Sequence, residues 1–189
     1  MKNKKELRKV FKEKRAALPE DEWSRASRSI QNHTKAFILE KDIHRVHCFV
    51  SINSRKEPDT HGLIQWMLSR GMQVFIPVMQ SGRMLIHHHL TQFSELEPNE
   101  YGILEPPIIR GYQQDFDLII VPMLAGDRNG YRLGYGKGYY DTFLSKESDT
   151  CSLGLLFNDF LVEGLPVEAH DVSLSLYMSE DGPVLFNVC

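Results

Sequence analysis

The sequence predicts an α/β fold, in which an open, mostly parallel sheet carries helices on both faces in a Rossmann-like three-layer arrangement, preceded by a basic N-terminal helix. Short runs of β-branched and aromatic residues alternate along the chain with helical segments, as they do in β-α-β units. Two of these runs, FDLIIVP (116–122) and CSLGLLF (151–157), are almost wholly apolar. Such runs are typical of strands that are buried on both faces of a parallel sheet.

The helices are predicted from the spacing of apolar residues. Leu7, Val10, Phe11 and Leu18 recur at helical intervals, which predicts an amphipathic helix over residues 2–18. Acidic residues early in the next segment match the helix dipole, and a glycine ends the third helix. The predicted helices are 2–18, 19–40, a helix within 57–71 with Asp59 or Thr60 as N-cap and Gly71 as stop, and a helix within 138–146.

The remaining β-rich runs complete the predicted sheet. MLIHHHL (84–90) is a strand whose histidines alternate between faces, and SEDGPVLFN (179–187) is a hairpin turn with a short edge strand. Ligands of open α/β sheets bind beyond the carboxyl ends of the strands, so we expect the site there. The predicted strands are 45–52, 72–78, 84–90, 116–122, 151–157 and the edge strand within 179–187.

Length and composition limit the class of protein. A chain of 189 residues with 42% hydrophobic and 25% charged residues predicts one globular domain spanning 1–189. No run approaches the roughly 20 apolar residues that span a bilayer. The basic N-terminus lacks the apolar region of a secretory signal. We therefore expect a cytoplasmic protein with no membrane contact and no obligate protein partner.

The three cysteines, Cys48, Cys151 and Cys189, are odd in number and far apart in the sequence. This pattern fits neither a disulfide framework nor a metal-binding pair. It predicts two packed thiols and a cysteine in the tail.

Charge is distributed unevenly along the chain. Residues 2–15 contain eight Lys/Arg and two Glu, for a net +6, so the rest carries −9 of the overall −3. A basic segment on an acidic body suits a small anionic ligand or internal docking better than nucleic acid. The competing hypothesis is an RNA- or protein-binding module, whose binding would be lost when Lys4, Lys5 and Arg8 are neutralised. No aromatic residues interleave with these charges as a stacking platform, which counts against it.

The segment GYRLGYGKGYYD, Gly130 to Asp141, has four glycines and four tyrosines. Such glycines let backbone N–H groups converge on an anion, with the positive end of the following helix beside them. Arg132 and Lys137 add the positive charge that a phosphate requires. The segment matches neither the P-loop motif nor GxGxxG. It is either a phosphate site or a tight turn with packed tyrosines.

Three other groups have two interpretations each, and the histidine run is unsuited to a shared metal site. Glu57, after the first strand, either accepts from the donor edge of a heterocycle such as a pterin or is an exposed glutamate. Asp141 is either a ligand of a hard cation or a charge at a helix N-terminus. His170 and Asp171 either border the crevice or form a loop turn. The histidines at 87–89 cannot all bind one ion, because neighbours on a strand point to opposite faces.

Taken together, NKKELRKVFKEKRAAL, EPDT, YGILEP and GYRLGYGKGYYDTFL resemble the 5-formyltetrahydrofolate cyclo-ligase family, also called methenyltetrahydrofolate synthetases. The similarity runs in order over nearly the whole chain, and the last motif is the specific one. It implies an α/β sheet and a reaction in which ATP, with Mg²⁺, converts 5-formyltetrahydrofolate to 5,10-methenyltetrahydrofolate, ADP and phosphate. The formyl oxygen would be phosphorylated first, and the second folate nitrogen would then displace phosphate.

The resemblance also implies site residues, which fall into four groups. Lys137, Arg132 and Tyr140 would be catalytic. ATP would contact Lys4, Lys5, Arg8, Arg132, Gly134, Tyr135, Gly136, Lys137, Gly138, Tyr139 and Tyr140. Folate would contact Ile52, Glu57, Tyr135, Gly136, Lys137, Gly138 and Tyr139. Magnesium would be held by Asp141 and Asp171.

The chain departs from the family pattern at a few positions. Thr142 replaces an arginine after YYD, and Ser173 and Ser175 replace a proline or acidic residue near HDV. Ala125 and Gly126 replace a bulkier pair, a change expected to affect packing. The first two departures leave an alternative function open, a catalytically impaired folate-binding protein of the same fold.

Overall fold

The computed structural model describes residues 3–99, 103–111, 115–187 and 189. Its helices agree with the predicted ones, apart from their ends. A capping box between Asn3 and Glu6 begins the first helix, and the predicted start at Lys2 lies outside the described residues. The α-helices are α1 (Lys4–Ala16), α2 (Glu20–Glu40), α3 (His61–Ser69) and α4 (Tyr139–Leu144).

Seven of the strands form one sheet, in the order β12-β11-β9-β6-β1-β2-β3. The five inner strands are parallel, and the two edge strands are antiparallel to their neighbours. The strands are β1 (Arg45–Cys48), β2 (Gln73–Met79), β3 (Leu85–Leu90), β4 (Glu97–Pro98), β5 (Leu104–Glu105), β6 (Leu118–Val121), β7 (Ala125–Asp127), β8 (Arg132–Leu133), β9 (Cys151–Leu155), β10 (Leu161–Val162), β11 (Leu176–Ser179) and β12 (Gly182–Leu185).

The helices cover both faces of this sheet, which confirms the predicted fold class. The crossover from β1 to β2 and the crossover from β6 to β9 run in opposite directions along the sheet. Because such crossovers are right-handed, α3 and α4 lie on opposite faces. Helix α2 contacts α3 and β11 and so shares the face of α3. The strand order differs from that of the dinucleotide-binding Rossmann fold, so the Rossmann-like detail is not confirmed.

The direction of the strand order reverses between β1 and β6, the two central strands. In sheets of this kind the crevice beyond the carboxyl ends of those strands is the usual ligand site. Strand β1 is shorter than predicted because side chains hold the backbone that follows it. Thr60 Oγ1 accepts from Ser51 N at 2.9 Å, and Glu57 Oε2 accepts from Ile52 N at 2.8 Å. These bonds direct the chain away from the sheet and into the crevice.

Strand β11 was missed in the sequence, although it completes the parallel part of the sheet. Its Tyr177 is fully buried and donates to Tyr131 O at 2.6 Å. A Cβ on Gly126 would lie 2.5 Å from the ring of Tyr177, and one on Gly154 would lie 3.0 Å from it. The expected packing role of Gly126 is therefore to admit this ring.

The expectation for the cysteines was wrong for two of the three. Cys151 and Cys189 form a disulfide, whereas Cys48 is the predicted buried thiol. The hairpin of β11 and β12 returns the chain end to β9, where Phe186 N donates to Ser175 O at 2.9 Å. Distance along the sequence was thus a poor guide to distance in the sheet. The disulfide lines a cleft of about 680 Å³ at the amino ends of the parallel strands, opposite the crevice.

The histidine run alternates between faces, as predicted. Within the described residues, no group of three or more His, Cys, Asp or Glu side chains could hold a metal ion. His87 lies instead in an aromatic cluster, 5.1 Å from the ring of His47 and 4.5 Å from that of Phe143. Neither ring nitrogen of the fully buried His47 has a hydrogen-bond partner in the described part of the chain.

This cluster makes the free energy of unfolding sensitive to acid. Burial, with a further effect of His87, holds the pKa of His47 well below its usual value, and burial lowers that of His87 to about 4. Both rings bind protons more readily in the unfolded chain than in the folded protein. The stability that the two neutral rings contribute is therefore fully present above the usual histidine pKa, and it is lost as the pH falls towards 4. Between about pH 7 and about pH 5, the free energy of unfolding should fall for both proteins. The fall should be smaller for His47→Phe than for wild type, by at least about 1 kcal/mol.

Urea unfolding at the two pH values measures this difference. The matched control is His44→Gln, since the His44 side chain is 70% exposed, and it should keep the wild-type pH dependence. An equal fall in the free energy of unfolding between the two pH values for wild type and His47→Phe would contradict the prediction.

Among the described residues, no helix is both long enough and apolar enough to cross a membrane.

Candidate active site

The candidate site lies beyond the carboxyl ends of β1 and β6, with α1 laid across them. Arg15 of α1 donates to the carbonyls of Arg55 and Met123, which follow those two strands. The glycine-rich segment follows β7 and leads into α4. The basic helix and the glycine-rich segment, far apart in the sequence, therefore face each other.

Three glycines of the segment, Gly130, Gly136 and Gly138, have backbone conformations that other residues rarely adopt. Gly136 has φ +87° and Gly138 has φ +75°. The Arg8 guanidinium lies against Gly136, so that a Cβ there would be 2.9 Å from Arg8 Cζ, and Arg8 Nε donates to Gly134 O at 2.9 Å. Gly136 thus provides both the turn and the space for Arg8.

We expect Gly136→Ala to lower the free energy of unfolding by about 1–3 kcal/mol, because alanine is strained at positive φ and displaces Arg8. Gly134→Ala is the matched control, since its φ is not positive and its Cβ would meet no atom within 4 Å. Urea unfolding of the two variants tests the difference. Equal destabilisation of both would contradict the role given to Gly136.

Some of the predicted phosphate-binding cations are exposed, and others are already paired with carboxylates. Lys137 and Lys5 are exposed, and neither forms an ion pair within the described residues. Lys4 instead donates to both oxygens of Asp171, at 2.8 and 2.6 Å. Arg132, with 4% of its side chain exposed, donates to Asp141 Oδ1 at 2.7 Å and to Val172 O at 2.7 Å. Lys137 is thus the predicted cation of the glycine-rich segment that is open to solvent.

The predicted metal ligands, Asp141 and Asp171, converge on one stretch of backbone. Val172 N donates to Asp141 Oδ1 at 3.3 Å, next in sequence to Asp171. Burial alone would raise the pKa of Asp171, but hydrogen bonds from Lys4 and from Glu168 N lower it. Oδ2 of Asp141 takes part in no hydrogen bond of the described part of the chain. The two carboxylates suit a hard cation that also binds phosphate and water, provided that Lys4 changes partner.

Glu57 is buried, so the interpretation as an exposed glutamate was wrong. Its Oε2 accepts from Ile52 N at 2.8 Å, and its Oε1 accepts from the hydroxyl of Tyr135. Trp23 Nε1 donates to Glu57 O at 2.8 Å. The structure therefore brings together Ile52, Glu57 and Tyr135, three of the predicted folate contacts.

The hydroxyls of the two tyrosines after Lys137 lie in different surroundings. Tyr139 donates to Gln80 O at 3.0 Å, in the turn between β2 and β3. The Tyr140 hydroxyl is buried and has no hydrogen-bond partner in the described part of the chain. Burial raises the pKa of Tyr140 well above its usual value, so this hydroxyl keeps its proton. The structure places it in the interior, with its ring 6.0 Å from that of His47.

The sequence matches a known protein family over most of its length. The model of the "5-formyltetrahydrofolate cyclo-ligase family" matches residues 1–179. The chain belongs to this family. Membership makes the protein an enzyme of the ligase class, and it confirms the resemblance inferred from the motifs. In YGILEP, one of those motifs, Tyr101 and Gly102 lie outside the described residues.

Relatives of the cyclo-ligase family match over most of the chain. The 5-formyltetrahydrofolate cyclo-ligase of Mus musculus is 29% identical and covers 95% of each chain. That of Escherichia coli (strain K12) is 35% identical over 69% of this chain and 75% of its own. The solved structure of Aquifex aeolicus 5,10-methenyltetrahydrofolate synthetase superposes with a TM-score of 0.83 at 28% identity, covering 98% of this chain and 94% of that one.

Two residues of the candidate site were missed in the sequence. Arg15 follows Lys4, Arg8 and Phe11 at spacings of four, three and four, so all four share one face of α1, and this spacing could have identified it. Arg83, in the turn after β2, lies 3.5 Å from the position of a Cβ on Gly138. No local pattern indicates that contact, because it depends on how two distant loops pack.

Proposed function

We propose that the protein converts 5-formyltetrahydrofolate to 5,10-methenyltetrahydrofolate, with ATP cleaved to ADP and phosphate, as one cytoplasmic domain spanning 1–189. The observation that carries the proposal is the hydrogen bond from Tyr135 to Glu57. It joins the glycine-rich segment, suited to phosphate, to a buried carboxylate suited to a pterin. A site for a phosphoryl donor and a site for its acceptor are thereby adjacent.

Glu57 is the proposed acceptor for the pterin. A pterin presents two neighbouring N–H donors, and a carboxylate is their natural partner. Each carboxylate oxygen accepts more than one hydrogen bond, so the bonds from Tyr135 and Ile52 leave acceptor capacity. Ile52 adds an apolar wall beside the ring.

The glycine-rich segment and α1 are the proposed nucleotide site. Backbone N–H groups from Gly134 to Gly138 and the side chain of Lys137 would contact the phosphates, with Lys5 and Arg8 approaching from α1. Tyr139 and Tyr140 would border the nucleotide. Arg132, buried in its ion pair with Asp141, would act on ATP by holding α4 in place.

The proposed reaction has two displacements. The formyl oxygen of the folate first attacks the γ-phosphorus, and the bond from that phosphorus to the ADP oxygen breaks. The second folate nitrogen then attacks the formyl carbon, releases its proton, and phosphate leaves with the formyl oxygen. The protein supplies alignment and neutralises phosphoryl charge, for which Lys137 is placed.

Magnesium would be held by Asp141 and Asp171. When bound, it would neutralise charge on the phosphates and favour departure of ADP. Lys4, which pairs with Asp171, would then be released to contact phosphate.

The test is the absorbance of methenyltetrahydrofolate when the purified protein is mixed with 5-formyltetrahydrofolate, ATP and magnesium. Product should form only when all three are present. Omitting ATP and omitting magnesium are the controls. Folded protein that binds the folate but makes no product would contradict the proposal and favour an impaired binding protein, for which Thr142→Arg would be the first reversion.

A further inference from the structure

Arg15 uses each nitrogen of its guanidinium group inside the protein. Nε donates to Arg55 O at 2.9 Å, Nη1 to Met123 O at 3.4 Å and Nη2 to Tyr135 Oη at 2.7 Å. Only 4% of its side chain is exposed. Burying a charge this fully is costly unless it is paired, and the charge that Arg15 faces is Glu57, at 3.8 Å.

Tyr135 lies between these two charges. Its oxygen accepts from Arg15, so its single proton is directed to Glu57 Oε1. Burial, followed by the charge of Glu57, raises the pKa of this hydroxyl, and the proton therefore stays on it. In this chain of hydrogen bonds Arg15 only donates, Tyr135 accepts from Arg15 and donates to Glu57, and Glu57 only accepts.

We propose that Arg15 is a positioning residue for the folate, holding Tyr135 and Glu57 in the orientation that accepts the pterin. The inference rests on the proposed function, because it takes Glu57 as the acceptor. Arg15 does not contact the reacting atoms. It acts through the Tyr135 hydroxyl, and its charge offsets that of the buried Glu57 carboxylate.

A purely structural role, in which Arg15 only attaches α1, predicts different behaviour. Helix α1 has other attachments, from Arg8 to Gly134 O and through the rings of Phe11 and Phe160, 5.9 Å apart. The nucleotide side of α1 should therefore stay in place without Arg15. Loss of Arg15 should weaken folate binding much more than ATP binding, whereas a detached helix would weaken both.

Arg15→Met removes the charge and the hydrogen bonds at similar volume. We expect the Kd for 5-formyltetrahydrofolate without ATP, and the KM for this folate, to rise by about 10- to 100-fold, the usual weight of a charged hydrogen bond. The KM for ATP should stay within about 3-fold. Fluorescence of Trp23, bonded to the Glu57 carbonyl, provides the binding signal.

Two further substitutions complete the series. Arg15→Lys keeps the charge but loses the forked donors, and it should give an intermediate Kd. Lys14→Met removes the neighbouring charge, whose side chain is 41% exposed, and should keep wild-type values. Should Arg15→Met fail to fold by circular dichroism, Tyr135→Phe keeps Arg15 and interrupts the same path, and it too should raise the folate Kd.

The outcomes separate the inference from the function on which it rests. Folded Arg15→Met with an unchanged folate Kd, or with equal rises in both KM values, would overturn the positioning role. In the fallback case, an unchanged Kd for Tyr135→Phe would do so. Wild type that binds the folate without forming product would contradict the proposed reaction alone, and the Kd series would still decide the role of Arg15. Wild type that does not bind the folate would overturn both.

Discussion

Lys137→Ala should lower kcat for methenyltetrahydrofolate formation by at least about 100-fold, the scale set by losing one group that stabilises transition-state charge. Lys4 and Arg132 are held by carboxylates, whereas Lys137 is exposed and unpaired among the described residues. It is therefore the cation best able to follow the phosphoryl group as it moves. The Kd for 5-formyltetrahydrofolate without ATP should change by less than about 5-fold, since Glu57 is untouched.

Steady-state kinetics with a binding titration measure both quantities. Lys146→Ala is the matched control, because Lys146 is an exposed lysine just after α4. This substitution should leave kcat unchanged. Lys137→Arg keeps the charge and should recover part of the rate. A wild-type kcat for Lys137→Ala would remove Lys137 from the mechanism.

Breaking the disulfide between Cys151 and Cys189 should lower the free energy of unfolding by about 3–4 kcal/mol. The bond closes a loop across 38 residues, and that loss of freedom in the unfolded chain is of this size. Because the disulfide lies at the amino ends of the strands, opposite the crevice, kcat and both KM values of folded protein should be unchanged. Urea unfolding of Cys151→Ser, with and without reductant, measures the effect.

Cys189→Ser provides the matched control for this prediction. It should destabilise to the same degree as Cys151→Ser, and reductant should have no further effect on either variant. Wild type treated with reductant should approach them. A variant as stable as oxidised wild type would show that the bond contributes nothing.

The parts of the fold that the sequence predicted are those where one strong local pattern acts alone. Residues 116–122 are apolar throughout, and all of β6 is buried, so burial on both faces was visible in the sequence. Strand β11 carries a tyrosine and a serine, and it is a strand because Tyr177 fills the space above two distant glycines. The disulfide likewise depends on which strands become neighbours. Both features depend on packing between segments that are distant in the sequence, and a short stretch of sequence carries no information about it.

The candidate site divides in the same way. The glycine-rich segment and the basic face of α1 are local features, and both were found. The burial of Glu57 was not predicted, because it results from Trp23, Tyr135 and Arg15 arriving from three separate segments. The ion pairs of Lys4 and Arg132 were missed for that reason as well. Residue types indicated the chemistry, but which charges are already paired required the structure.

Helix α1 also sets the distance between the two halves of the candidate site, the glycine-rich segment and Glu57. Arg8 at the glycine-rich segment and Arg15 at Glu57 are seven residues apart on one face, a spacing of about 10 Å along a helix. Side chains between them that face solvent, such as Lys9, can change with little effect on this distance. Removing or inserting one residue there would turn one arginine by about 100° away from its partner. The solvent-facing positions of this stretch should therefore tolerate changes of residue type, whereas its length should be fixed.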